Sequence, residues 1–241
     1  MTGYWLAIDT ATDDASAAAG VPPGVAAVAR VSGARRHAAE ILGLVDQVLR
    51  GPGLRPADLA GIVVADGPGS FTGLRIGWAA ARGLAHEPEV PLHAIPALLA
   101  AAHGAATDRG GTVAACFDAL RGQVFGAVYR FETSGVVTLV EPAVLTVAEL
   151  VQRTPERPRV AVGDGAVRYA TEIVAWTGAE PLPLGAVAPN AASLLNLVGR
   201  EGVGRRLEAP DAPAYGRPAE AQAKWEARHG RPLPDPTGRT G

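Results

Sequence analysis

Cysteine is nearly absent. Cys116 is alone among 241 residues, which excludes an intramolecular disulfide and points to a reducing compartment. It lies within Val113-Ala114-Ala115-Cys116-Phe117, an apolar setting that suits a buried structural thiol better than a nucleophile. Lysine is equally scarce: Lys224 is the only one among 22 basic residues, a compositional bias toward arginine. The net charge of −2 supplies no global basic field to drive nucleic-acid binding. No run approaches the roughly 18 apolar residues of a membrane helix. The start, Met1-Thr2-Gly3-Tyr4-Trp5-Leu6, lacks the basic region and long apolar core of a secretion signal. A soluble cytoplasmic protein is expected. The five histidines, His37, His86, His93, His103 and His229, include no pair at the i, i+4 spacing of a helical metal site.

What is present is a globular composition, 48% hydrophobic, in a chain long enough for one large or two small domains. Strands are expected at Tyr4 to Asp9, Ala15 to Ala19 and Val25 to Val31, with turns at Thr12-Asp13-Asp14 and Val21-Pro22-Pro23-Gly24. A helix from about Arg35 to Arg50 carries Ala38, Ile41, Leu42, Val45, Val48 and Leu49 at helical spacing and stops at Gly51-Pro52-Gly53. A strand at Ile62 to Ala65, a helix ending near Ala85, a strand at Leu92 to Ile95 and a helix from Pro96 to about Ala106 follow.

The second half begins alike, with strands at Thr112 to Asp118, Val124 to Phe131 and Val136 to Val140. Then come a helix at Val147 to Arg153, a strand at Val160 to Val162, a helix from about Val167 to Thr177, a short strand near Leu182 and a helix from Ala191 to Gly199. The order strand, strand, strand, helix, strand, helix occurs twice, which implies two lobes, each a mixed sheet flanked by helices. The expected boundaries are 1–108, a smaller lobe at 109–209 and a tail at 210–241. Pro210, Pro213, Pro218, Pro232, Pro234 and Pro236 preclude a long element in the tail. Ala219 to Arg228 can form one helix there, and disorder is expected at its end.

The densest motif is Gly67-Pro68-Gly69-Ser70-Phe71-Thr72-Gly73-Leu74-Arg75-Ile76-Gly77. Strand, glycine loop and helix N-terminus are a layout that can present N–H groups to an anion or another chain. It has no Gly-Lys-Ser/Thr and no G-x-G-x-x-G spacing, so it is neither a P-loop nor a dinucleotide fingerprint. Gly73, Gly77 and Ala81 form a stripe along the following helix. Glycine inside a helix costs about 1 kcal/mol relative to alanine, so something must offset it: close packing on the protein's own sheet, or the approach of a partner helix. Trp78 at the edge of the stripe would anchor an interface if exposed.

Asp9, Thr10 and Asp118 close the first strand of each repeat, where carboxylates facing a cleft can hold a metal or a nucleotide's magnesium. The following Ala11-Thr12-Asp13-Asp14 has no glycine for a phosphate hairpin, and turn-forming aspartate is the commoner reason for such residues. Asp164, in Gly163-Asp164-Gly165, can cap the next helix.

Tyr4-Trp5-Leu6-Ala7-Ile8-Asp9-Thr10-Ala11-Thr12, Arg36-His37-Ala38-Ala39-Glu40 and the Gly67–Gly77 run together resemble the TsaB (YeaZ) family. Further matches are Asp118-Ala119-Leu120-Arg121-Gly122-Gln123-Val124-Phe125, Gly163-Asp164-Gly165-Ala166 and Pro213-Ala214-Tyr215-Gly216-Arg217-Pro218. The resemblance spans about residues 4–218. It implies duplicated ribonuclease-H-like lobes of the actin/Hsp70/sugar-kinase superfold, the second reduced. It further implies a non-catalytic dimerization subunit of the bacterial complex that threonylcarbamoylates adenosine 37 of tRNAs reading codons that begin with A. The implied partners are the catalytic TsaD subunit, which carries a metal-binding His-x-x-x-His motif, the TsaE ATPase, and a second copy when the chain is alone, with tRNA met only indirectly and no membrane. ATP and a metal are expected on those partners, with no catalytic or metal-binding residue here.

By the same analogy the interface falls on the Arg35–Arg50 and Leu74–Ala85 helices, through His37, Ile41, Leu44, Val45, Val48, Phe71, Leu74, Gly77, Trp78 and Ala81. Asp9, Thr10, Asp118 and Asp164 would be the remnant of a nucleotide cleft. Leu120, Gln123 and Gly216 depart from the residues the family usually has. A stand-alone glycoprotease-like hydrolase and a nucleotide-binding kinase of the same superfold are the alternatives.

Overall fold

The computed structural model describes residues 3–33, 37–86, 89–106, 110–133, 135–187, 190–208 and 211–216. The first sheet begins with β1 (Trp5–Asp9), β2 (Asp14–Gly20) and β3 (Ala27–Ser32), antiparallel neighbours in that order. After α1 (His37–Arg50), β4 (Gly61–Ala65) pairs parallel to the other side of β1. After α2 (Phe71–His86), β5 (Leu92–Ile95) pairs parallel to β4. The helix α3 (Ala97–Ala105) leads out of this unit.

The second sheet repeats the plan. β6 (Gly111–Asp118), β7 (Val124–Glu132) and β8 (Gly135–Leu145) are antiparallel neighbours. α4 (Val147–Arg153) precedes β9 (Val160–Val162), which is parallel to β6. α5 (Asp164–Arg168) and α6 (Ala170–Thr177) follow. In place of a fifth strand there is a single parallel bridge, Val162 to Leu182. Both sheets therefore have the order 3-2-1-4 with the same strand directions, and the second is trimmed at its fifth position. This is the duplicated ribonuclease-H-like architecture, with the second lobe reduced.

Strand alternation sorts the side chains into layers. Leu6, Ile8, Ile62 and Val64 point to α1 and α2, whereas Trp5, Ala7, Val63 and Ala65 point to a central helical layer. That layer consists of α3 and α7 (Asn190–Leu197), and its other side receives Val113, Ala115, Phe117 and Tyr129 of the second sheet. Ala114, Cys116, Val124 and Val128 turn the opposite way, into a core with Leu150 and Ile173. The molecule is five layers deep: helices, sheet, helices, sheet, helices.

The chain end differs from expectation. α7 packs on β1 and β2, and β10 (Arg205–Arg206) adds to β5 as the last strand of the first sheet. The first lobe thus reclaims the chain from residue 190, well before the expected boundary at 209. Arg205 and Arg206 carry no strand signal, because backbone pairing alone makes that strand. Residues 211–216, expected to belong to the tail, are fastened to the first lobe. Ala214 donates its N–H to the Asp66 carbonyl (2.8 Å), and the Tyr215 ring lies 4.6 Å from that of Phe71. The helix expected at Ala219 to Arg228 lies outside the described residues. The single helix expected at 167–177 is broken at Tyr169 (φ −108°, ψ 39°), and its first part begins at Asp164.

Candidate functional site

The glycine run is held by the turn that follows β1. Ser70 donates its N–H to the Ala11 carbonyl (2.7 Å), and the Ser70 hydroxyl accepts the Gly73 N–H (3.2 Å). Two N–H groups that might have faced an anion are satisfied internally. Gly67 has φ +85°, a conformation that favours glycine, and any Cβ there would strike the Ala214 carbonyl. A Cβ on Gly73 would strike the Thr10 carbonyl oxygen, and one on Gly77 the Thr10 hydroxyl. That hydroxyl donates to the Gly73 carbonyl at 2.7 Å. The stripe is explained by packing on the protein's own first strand.

The residues expected at the partner interface are placed accordingly. Ile41, Leu44, Val45 and Val48 are buried between α1 and the sheet, and Leu74, Gly77 and Ala81 are buried under α2. Trp78 is 4% exposed and donates its indole N–H to the Ala65 carbonyl (3.0 Å), so it is no exposed anchor. Seven of these side chains, and the Cα of Gly77, are therefore turned into the protein's own fold. The apolar face of an amphipathic helix marks what the helix buries in its own fold, not what it offers outside. Phe71 is half-buried, stacked with Tyr215, and has the Arg75 guanidinium 4.1 Å from its ring centre. His37 is the first residue of α1.

The outward positions of the two helices include Leu42, Gly43, Asp46 and Gln47 on α1, and Thr72, Arg75, Ala79 and Gly83 on α2. Leu42 is 58% exposed. Among the described residues, a Cβ on Gly43 or Gly83 would meet nothing within 4 Å. Those two glycines sit inside helices with no internal packing reason, and the sequence did not single them out.

The cleft residues also separate. Asp118 and Asp164 are brought together: Asp164 accepts the Asp118 N–H (3.1 Å), and Asp118 accepts the Leu120 N–H (2.9 Å) and an Arg168 guanidinium N–H (3.2 Å). Asp9 and Thr10 instead point inward. Asp9 accepts the Ala11 N–H (3.1 Å) and the Asn190 side-chain N–H (2.9 Å), so it closes a turn and ties β1 to α7. Desolvation first, and the Asp118 charge in addition, hold the Asp164 carboxyl above the usual carboxylate range, against the pull of its N–H donors.

The interlobe cleft has a volume of about 350 Å³, with Thr12, Asp13, Ser70, Asp118, Phe125 and Asp164 on its walls. A second hollow of about 300 Å³ shares Thr12, Asp13 and Asp164 and adds Asp14, Val167 and Leu184. Among the described residues no group of three or more His, Cys, Asp or Glu is placed to hold a metal ion, and no helix is long and apolar enough to cross a membrane. Burial, and secondarily the Asp164 charge, push the Cys116 thiol up to about 12, an inert structural group as expected.

One feature that sequence reasoning missed is Asp66, immediately before the glycine run. Its carboxylate accepts from Arg205 at 3.1 and 3.3 Å and from the Ala214 N–H at 3.3 Å, while Asp211 pairs with the same arginine at 3.0 Å. Nothing in the sequence links residues this far apart.

The family model of TsaD, tRNA N6-adenosine threonylcarbamoyltransferase, matches residues 8–176. The tRNA threonylcarbamoyladenosine biosynthesis protein TsaB of Bacillus subtilis is 32% identical over 201 residues, 79% of this chain and 84% of that protein. TsaB of Escherichia coli is 38% identical over 132 residues, 54% of this chain and 57% of that protein. A Pseudomonas aeruginosa structure described as an uncharacterized protein with similarity to peptidase YEAZ superposes with a TM-score of 0.71 at 27% identity, covering 90% of this chain and all of that one. With the sequence match running through both lobes and the structural match through nearly the whole fold, the chain belongs to the TsaB (YeaZ) family of tRNA threonylcarbamoyladenosine biosynthesis proteins.

Proposed function

We propose that this chain serves tRNA threonylcarbamoyladenosine formation as a subunit that does no chemistry itself and binds the catalytic TsaD threonylcarbamoyltransferase through the outer face of α1 and α2. The modification falls on adenosine 37 of tRNAs reading codons that begin with A, and the TsaE ATPase joins the same complex. Alone, the chain closes that face on a second copy. The observation that carries the reading is the open space at Gly43 and Gly83. A glycine inside an exposed helix costs about 1 kcal/mol relative to alanine. Gly73 and Gly77 are accounted for by Thr10, whereas a Cβ on Gly43 or Gly83 would meet nothing within 4 Å among the described residues. Close approach of another backbone accounts for them, with Leu42 and Ala79 as neighbouring apolar contacts.

The experiment is co-purification of TsaD with Gly43→Arg and Gly83→Arg variants, with threonylcarbamoyladenosine measured in a strain that depends on the variant. Both variants should melt near the parent temperature, since the new side chains enter open space, yet lose TsaD and the modified nucleoside. A folded variant that retains the complex would overturn the reading.

A further inference from the structure

Arg75, Ala79 and Gly83 follow one another at intervals of four residues, so they form one row along the outer side of α2. At about 1.5 Å per residue the row runs about 12 Å from Arg75 to Gly83. One end is bare and the other carries an exposed cation. Arg75 differs from the other arginines on these two helices. Arg50 pairs with Asp46 at 2.8 Å, and Arg82 donates to the Asp211 carbonyl. Among the described residues Arg75 forms no ion pair, and its hydrogen bond runs from Nε to the Tyr215 hydroxyl at 3.1 Å.

That arginine is held in place before any partner arrives. Its guanidinium carbon lies 4.1 Å from the centre of the Phe71 ring and 5.9 Å from that of Tyr215. The two rings are 4.6 Å apart and tilted by 38°. Tyr215 reaches α2 because its segment is tied down beside it: Asp66 accepts the Ala214 N–H, and Asp211 pairs with Arg205 at 3.0 Å. One face of the guanidinium is thus covered by Phe71 and its Nε edge is used, while its two terminal NH2 groups have no partner among the described residues. An arginine gives up rotamer freedom when it forms a bidentate pair, and here much of that freedom is already lost in the fold. A planar fork with both prongs open fits an oxyanion that accepts two parallel N–H bonds. A neutral side chain of similar length would cover the same ring, so packing alone does not call for the charge.

We propose, on the reading of α1 and α2 as the TsaD-binding face, that the two terminal NH2 groups of Arg75 receive a carboxylate of TsaD, with Phe71 and Tyr215 as the residues that position the fork. A partner helix laid along α2 at Gly83 passes Ala79 and comes to Arg75 about two turns away. The ion pair then fixes how far along α2 the partner sits, which small residues alone leave free. That shared row points to a protein carboxylate, and the net charge of −2 disfavours a polyanion here. Packed on an aromatic ring and covered by the partner, such a pair is of the kind that anchors an interface.

Variants of the full chain are immobilised sparsely, so that copies do not pair, and titrated with TsaD at about 0.1 and 0.5 M salt. Arg75→Met keeps an apolar stem on Phe71. It should melt like the parent and bind TsaD about tenfold more weakly or worse, with a flatter dependence on salt. Arg75→Lys should regain the salt dependence and only part of the affinity, since an ammonium has no fork. Tyr215→Phe should weaken binding several-fold, and no further in the Arg75→Met background, because its hydroxyl acts through Nε. An Arg75→Met chain that binds TsaD like the parent, while Gly83→Arg does not bind, would overturn the ion pair and leave the helix-face reading intact. Gly43→Arg and Gly83→Arg chains that both bind like the parent would overturn the helix-face reading, and the ion pair with it. An Arg75→Met chain that keeps TsaD while the assembled complex loses labelled tRNA would assign the fork to phosphate and overturn the carboxylate.

Discussion

The same chemical change, glycine to alanine, should have opposite signs at two positions of α2. At Gly73 the new Cβ would stand far inside contact distance of the Thr10 carbonyl oxygen, with Ser70 Cβ and Oγ at 3.3 Å on another side. No rotamer relieves a backbone contact, so α2 must lift off the turn after β1. Overpacking of this kind costs about 1–3 kcal/mol. Losing the buried Thr10 hydroxyl bond to the Gly73 carbonyl adds about 1 kcal/mol, and the better helix propensity of alanine returns up to about 1 kcal/mol. The net expectation for Gly73→Ala is a loss of about 1–3 kcal/mol. At Gly83 only the propensity remains, because the new methyl meets nothing, and Gly83→Ala should gain about 0.5–1 kcal/mol. For a chain of this size that is a rise of roughly 2–4 °C in Tm per kcal/mol gained. Urea denaturation and thermal melts of dilute, monomeric protein would read both. A Gly73→Ala protein as stable as the parent would refute the packing argument, as would a Gly83→Ala protein that is less stable as a monomer.

Asp66→Ala should loosen the strap: Arg205 loses its two bonds to that carboxylate and keeps Asp211, and the Ala214 N–H keeps only the backbone carbonyl of residue 66, so amides of 205–216 should exchange faster in hydrogen–deuterium exchange while β1 and β6 stay protected. The stability loss should be about 1–3 kcal/mol. The pH dependence should carry a signature of His103. Burial, aided by the Arg200 charge, lowers it from 6.5 to about 4, and its ring lies edge-on to Phe131 at 5.9 Å. A depressed folded-state value means a contribution fully present above the unfolded value and lost as pH falls from about 6.5 through about 4. Denaturation midpoints should therefore decline over that window, by a few kcal/mol at most, and His103→Gln should flatten the decline. A parent and variant with parallel pH profiles would contradict the assignment.

Strand alternation and helical spacing made most of the architecture legible: Leu6 and Ile8 against Trp5 and Ala7 already encode a sheet covered on both sides. The glycine stripe was visible too, but small residues carry no sign of direction. Gly73 and Gly77 face inward, Gly43 and Gly83 outward, and only the position of Thr10 distinguishes them. The apolar positions of α1 and α2 were read as a partner surface although they are the ones the lobe itself buries. In the cleft, Asp118 and Asp164 were found because each ends or follows a strand of the second repeat. Asp9 shared that pattern and yet turns inward to Asn190, a residue 181 positions away. Asp66 and Arg205 meet across 139 positions, and such pairs have no local signature.

The return of α7 and β10 to the first sheet has a consequence for how the protein is made. The first lobe is discontinuous: β1 to α3 leave the ribosome early, but the helix that covers Ala7 and Val63 and the strand that finishes the sheet emerge only with the last fifth of the chain. The second lobe's outer core, built from residues 114–173, is complete first and can fold as a unit while the earlier half waits with one sheet face uncovered. A nascent chain stalled before Asn190 would expose that face, so residues 190–206 complete the first lobe only after the second lobe's outer core has emerged.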